Sequence, residues 1–136
     1  MSRVLALDYG SARCGVAVSD PTGTLATPLD AVTQANTRRG LDRLATVVRE
    51  TGAERVVVGL PLSLSGGDSA QTEEARAFAA RLAARLGDGV PVELYDERFT
   101  TRIAQRSGGG RASEDSRAAA VLLEDWLAAR SARHSE

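Results

Sequence analysis

The chain has 136 residues, 43% of them apolar and 26% charged, with a formal net charge of −1. One domain of this size can bury a core without disulfides, and near-neutral charge gives no bulk electrostatic argument for any polyanionic partner. All 17 basic residues are arginine, which excludes a phosphate-loop lysine, a Schiff-base lysine and a serine–lysine dyad.

The single cysteine, Cys14, excludes an intrachain disulfide, and together with the single histidine, His134, it excludes zinc sites built on Cys and His clusters. A histidine-based triad would need His134 to fold back from the tail. Carboxylates, arginines and hydroxyls remain for chemistry, and carboxylates favour magnesium or manganese over softer metals. No apolar run reaches the roughly 20 residues of a membrane span, and residues 1–8 have no leader pattern. The expectation is a cytoplasmic protein with no membrane partner.

Arg3-Val-Leu-Ala-Leu-Asp8 predicts a buried strand ending in the turn Asp8-Tyr-Gly10. Residues 14–19 predict a second strand, closed by the turn Asp20-Pro-Thr-Gly23. A third strand follows over about 25–32, with Pro28 pointing to a sheet edge or a bend. Leu41, Leu44, Ala45 and Val48 then recur at helical spacing, and Thr51-Gly52 ends that helix. Arg55-Val-Val-Val-Gly59 lacks alternation, as a strand covered on both faces would. Residues 61–68 predict a Gly/Ser loop, and Asp68 with Gln71 suggests a capping box for a helix striped by Ala75, Phe78, Ala79, Leu82 and Leu86. A strand over 90–95 stops at Asp96-Glu97; a short helix over 100–106, a Gly-rich stretch at 107–110 and a last helix over 114–130, capped by Ser113, complete the chain. The order implies an α/β fold with a mixed five-stranded sheet, a meander followed by parallel strands, and helices on both faces. A single domain over residues 1–130 and a loose tail over 131–136 are expected.

In such sheets ligands bind beyond the carboxyl ends of the parallel strands. Asp8 and Asp96-Glu97 both end strands there. Asp115 falls at offsets of 4, 7 and 11 from Ala119, Leu122 and Trp126, on the inward stripe of the last helix, while Glu114 and Asp125 can face outward. Converging carboxylates repel unless cations or protons neutralise them. Two hard divalent ions would do so, and such pairs cleave phosphodiesters. An Asp at a strand end is also a common turn former, and an Asp in a first helical turn also suits the helix dipole; spacing alone leaves both readings open.

Asp8-Tyr-Gly-Ser-Ala-Arg-Cys-Gly-Val-Ala17 fits D-x-G-x-x-R-x-G-x-A. Gly59-Leu-Pro61 fits G-L-P, and Asp96-Glu-Arg-Phe-Thr-Thr101 fits D-E-R-x-T-T; Asp115 with Ala118, Ala119 and Leu122 closes the series. In these motifs, in order and nearly end to end, the chain resembles the YqgF type of Holliday-junction-resolvase-like proteins, also described as pre-16S rRNA nucleases. The resemblance implies a ribonuclease H-like fold, catalytic and metal-holding acids at Asp8, Glu97 and Asp115, and magnesium- or manganese-dependent cleavage of nucleic acid in 16S rRNA 5′-end maturation. The family commonly has a longer basic stretch before the last Asp; here that stretch is short and Gly-rich, with Arg106 and Arg111.

Arg13 could hold a phosphate or pair with Asp20. Arg98, Arg102, Arg106, Arg111 and Arg117 make the stretch around the later acids locally basic, a candidate backbone-binding surface or a solvated face. Thr100 and Thr101 could donate to phosphate or cap a helix. The 63–69 loop could offer amides to a phosphate, or serve only as a connection. Trp126 and Phe78 are expected in the core, and Cys14 as a buried small residue. The leading expectation is a two-metal nuclease on RNA, with structured DNA such as a Holliday junction as the alternative, a ribosomal precursor as one partner, and a homodimer suited to symmetric substrates. A non-catalytic RNA- or ribosome-binding module and an ATP-binding fold of the actin and sugar-kinase type are the competing classes.

Overall fold

In the computed structural model, residues 3–10, 12–60, 70–96 and 114–134 are described, with side chains in the last stretch from Ser116 to Arg130. The first three strands are β1 (Arg3–Asp8), β2 (Arg13–Ser19) and β3 (Ala26–Thr33). Then come α1 (Arg38–Thr51), β4 (Ala53–Leu60), α2 (Ala70–Leu86), β5 (Val92–Asp96) and α3 (Glu114–His134). The sheet order is β3-β2-β1-β4-β5. β1 runs antiparallel to β2 and parallel to β4, which is parallel to β5, so the predicted meander and parallel half are both present.

Local chemistry sets the boundaries. The Thr37 hydroxyl caps α1 by accepting from the Gly40 amide, and Gly52, at φ 73°, closes it. Pro28, which cannot donate to a ladder, sits in β3 at the sheet edge, opposite Ala17. Gly10 is required at the β1–β2 turn, because a Cβ there would lie 2.6 Å from the Arg13 carbonyl oxygen. α3 continues through His134, four residues past the Arg130 at which its pattern was expected to end. Asp68 of the proposed capping box, the Ser113 cap, the 63–69 loop, the 100–106 helix and the Gly-rich 107–110 stretch lie outside the described residues, whereas Gln71 lies in the first turn of α2.

Strand alternation divides the core in two. Leu5, Leu7, Cys14, Val16, Val56 and Val58 face α1 and α2, where they meet Leu44, Val48, Phe78 and Leu82. Val4, Ala6, Ala17 and Val57 face α3, against Ala119, Leu122, Leu123 and Trp126. Phe78, Trp126 and Cys14 are buried as expected. Among the described residues, no helix is long and apolar enough to cross a membrane.

Candidate functional site

Because β1, β4 and β5 are parallel, their carboxyl ends share one edge of the sheet. Asp8 ends β1, and Leu60, at the end of β4, pairs with Asp96 of β5. Two inter-strand spacings, about 10 Å, separate the ends of β1 and β5. β2 starts at this edge: Asp8 pairs with Gly15, and the exposed Arg13 is the first residue of β2.

The pleat decides where the acids face. Asp8, half-buried, has the parity of Val4 and Ala6, so it lies on the α3 face. In β5 that face holds Glu93, whose Oε2 accepts from Trp126 Nε1 at 2.8 Å, and Tyr95, whose hydroxyl donates to Asp125. Asp96 has the opposite parity, that of Val92, which packs with the α1/α2 core.

α3 is fixed over this edge by one buried bond. The Val16 amide donates to Ser116 Oγ at 3.2 Å, and Ser116 is fully buried. Val16 pairs with Leu7, the residue before Asp8. The first turn of α3, which contains Asp115, therefore stands at the level where β1 ends. The amide is available because β3 bulges opposite this point: the register shifts between Cys14 and Val16.

Of the expected site residues, the structure thus places Asp8, Arg13 and the backbone of Asp115. Glu97, Arg98, Thr100, Thr101, Arg102, Arg106 and Arg111 lie outside the described residues. Among the described residues, no three His, Cys, Asp or Glu side chains are close enough to hold a metal ion. The donor chemistry at the edge suits a hard ion: Asp8 brings carboxylate oxygen, whereas the Cys14 thiol is buried on the opposite face. Arg117 is half-buried.

Two expectations need correction. Arg13 and Asp20 flank opposite ends of seven-residue β2, some 20 Å apart, so they are not an ion pair. Asp20 instead accepts from Thr22 Oγ1 (2.7 Å) and the Thr24 amide (2.8 Å), and these bonds hold its carboxyl below the usual range. Asp125 does not face outward; it is half-buried under Tyr95.

Sequence reasoning missed the contacts of Tyr9. Its hydroxyl donates to Glu74 Oε2 at 2.5 Å, and its ring stacks on Phe78 with centroids 4.5 Å apart. Burial and the Glu74 carboxylate push the phenol up to about 12. The available signal was Glu74 itself, an acid one helical turn before Phe78 on the apolar stripe of α2.

A family model described as RuvX, a Holliday junction resolvase, matches residues 2–129. The chain belongs to that family. It is 45% identical over 133 residues to a Mycobacterium ulcerans protein provisionally named a pre-16S rRNA nuclease, covering 92% of this chain and 78% of the relative. A Thermobifida fusca relative of the same name is 47% identical over 141 residues, covering 90% and 85%. The structure of T. thermophilus RuvC in complex with a Holliday junction substrate superposes with a TM-score of 0.62 over 97% of both chains, at 19% identity. The shared fold is ribonuclease H-like, as the motifs implied. Membership makes this RuvX-family protein a nuclease, a hydrolase whose substrate is nucleic acid. The match does not favour the non-catalytic module.

Proposed function

We propose that the protein hydrolyses phosphodiester bonds in RNA, at the 5′ end of precursor 16S rRNA, with Asp8, Glu97 and Asp115 holding two magnesium or manganese ions. One observation carries this reading: the Val16–Ser116 bond brings the first turn of α3 to the end of β1, on the face that Asp8 shares. Alternation supports Glu97 over Asp96 as the third acid, since Glu93 and Tyr95 are bonded to α3. The names of the relatives support the precursor as substrate.

Bound ions of this kind supply Lewis-acid activation of water and offset charge on the phosphate. The roles proposed for the chain's own groups are simpler. The three carboxylates neutralise the ions and fix their place. Arg13, at the same edge, orients a substrate phosphate. Arg98, Thr100, Thr101, Arg102, Arg106 and Arg111 grip the strand beside it. A single domain over residues 1–130 is sufficient for this, and the cytoplasm is the proposed site of action.

The test is cleavage of a structured RNA carrying the precursor 5′ end, with manganese titration, by the wild type and by Asp8→Asn. The variant should stay folded and lose several kcal/mol of charge stabilisation, roughly a thousandfold in rate. Full activity in Asp8→Asn would end the reading. The family description favours one second reading, cleavage of four-way DNA; faster cutting of a synthetic junction than of the RNA, with dimerisation in solution, would select it.

A further inference from the structure

A cavity beside α1 opens at the sheet edge where Asp8 ends β1. β3 ends at Thr33, which pairs with Arg13, and the Gln34 amide donates to the Ala12 carbonyl at 2.9 Å. The turn leading into α1 is thus tied to the loop that follows Asp8. Between the outer edge of β3 and the first turns of α1 opens a cavity of about 470 Å³, lined among others by Thr33, Gln34, Thr37, Arg39, Gly40 and Arg43.

Arg39 and Arg43 are one helical turn apart, so both guanidinium groups serve the same face. Both are exposed, and among the described residues neither makes a hydrogen bond or an ion pair. The one acid between them, Asp42, is taken by Arg85 at 2.8 Å. One first-turn amide is already used, because the Gly40 amide donates to Thr37 Oγ1. The floor is rigid: a Cβ on Gly40 would lie 2.3 Å from the Gln34 carbonyl oxygen, so helix and turn touch backbone to backbone.

We propose that this cavity binds a backbone phosphate of the substrate strand, a few nucleotides from the bond that is cut. The inference rests on Asp8 marking the reaction centre. β3 lies two strand spacings from β1, roughly 10 Å, so a strand crossing the edge reaches both places. Two adjacent guanidinium groups, with the Thr33 hydroxyl and the Gln34 side-chain amide in the same lining, match phosphate oxygens. Among the described residues, the lining offers no aromatic anchor of the kind that dominates protein interfaces. The site adds Arg39 and Arg43 of α1 to the substrate grip.

The test is a binding measurement in the Asp8→Asn background, comparing Arg39→Gln/Arg43→Gln with the unmodified pair. The probes are single-stranded RNAs of about two and about twenty nucleotides, lengths that bracket common single-strand site sizes. For the longer RNA, losing this one phosphate contact should lower the slope of log affinity against log salt by about 0.7. Affinity at low salt should fall roughly tenfold, while the short RNA and the melting temperature change little. An unchanged slope and affinity for the longer RNA would overturn the proposal. Loss of polyglutamate binding with RNA binding intact would also overturn it, and would assign the cavity to an acidic protein. If wild-type protein cuts no nucleic acid yet the slope difference persists, the reading of Asp8 fails and the phosphate site stands.

Discussion

The two faces of the sheet hold their helices by different means. Against α1 and α2 the contact is broad and apolar, built from Leu5, Leu7, Val16, Val56, Leu44, Phe78 and Leu82. Against α3 the sheet offers Val4, Ala6, Ala17 and Val57 to Ala119, Leu122, Leu123 and Trp126, and the helix is also tied by polar bonds: Ser116 to Val16, Trp126 to Glu93, Asp125 to Tyr95. Apolar burial is large but non-directional. A buried hydrogen bond contributes little net stability, yet it fixes register, because breaking it leaves an orphaned donor. The first face therefore supplies stability and the second sets position, and Asp8 lies on the second.

The largest effect should come from the first face. Phe78→Ala removes a fully buried ring and should cost about 3–5 kcal/mol, a large share of a domain's total. Urea unfolding measures it, and a loss below about 1 kcal/mol would break the comparison.

Ser116→Ala sharpens it. Stranding the Val16 amide should cost about 1–3 kcal/mol. Its nuclease activity should fall further than that of Val48→Ala, a substitution in α1 on the apolar face. Equal activity losses at matched stability would mean that the α3 bonds do not position the site.

The smallest effect belongs to Tyr9, which lies beside Asp8 but faces α2. Its phenol is raised from 10.0 to about 12 in the folded protein. The folded state thus holds that proton more tightly than the unfolded chain. The stabilisation is complete below pH 10 and fades as pH climbs towards 12. Tyr9→Phe should remove this decline from melting curves taken between those values, while leaving the pH dependence below 9 unaltered. An identical alkaline decline in the variant would assign it to another group.

Much of this was legible in residue order. The stripe of α1, its end at Gly52, the buried run of β4 and the edge position of β3 follow from period, turn chemistry and proline's missing donor. Asp8 was legible as a strand end, and the motifs carried the family. Less legible was that Asp96 has the parity of the α1/α2 face, because a one-residue change of register exchanges the faces. Asp125 misled, because helical position alone does not reveal a tyrosine on a neighbouring strand. Arg13 and Asp20 looked close in sequence, yet an extended strand carries them apart.

Taken alone, the chain's order determined what each segment becomes and which of its sides is apolar, since these depend on neighbours within a turn or two. Folding decided who meets whom. Val16 and Ser116 are 100 residues apart and Tyr9 and Glu74 are 65 apart, and no local period encodes such pairs. They arise because β1 packs between β2 and β4, which brings the end of one strand, the start of another and the first turn of α3 to a single edge.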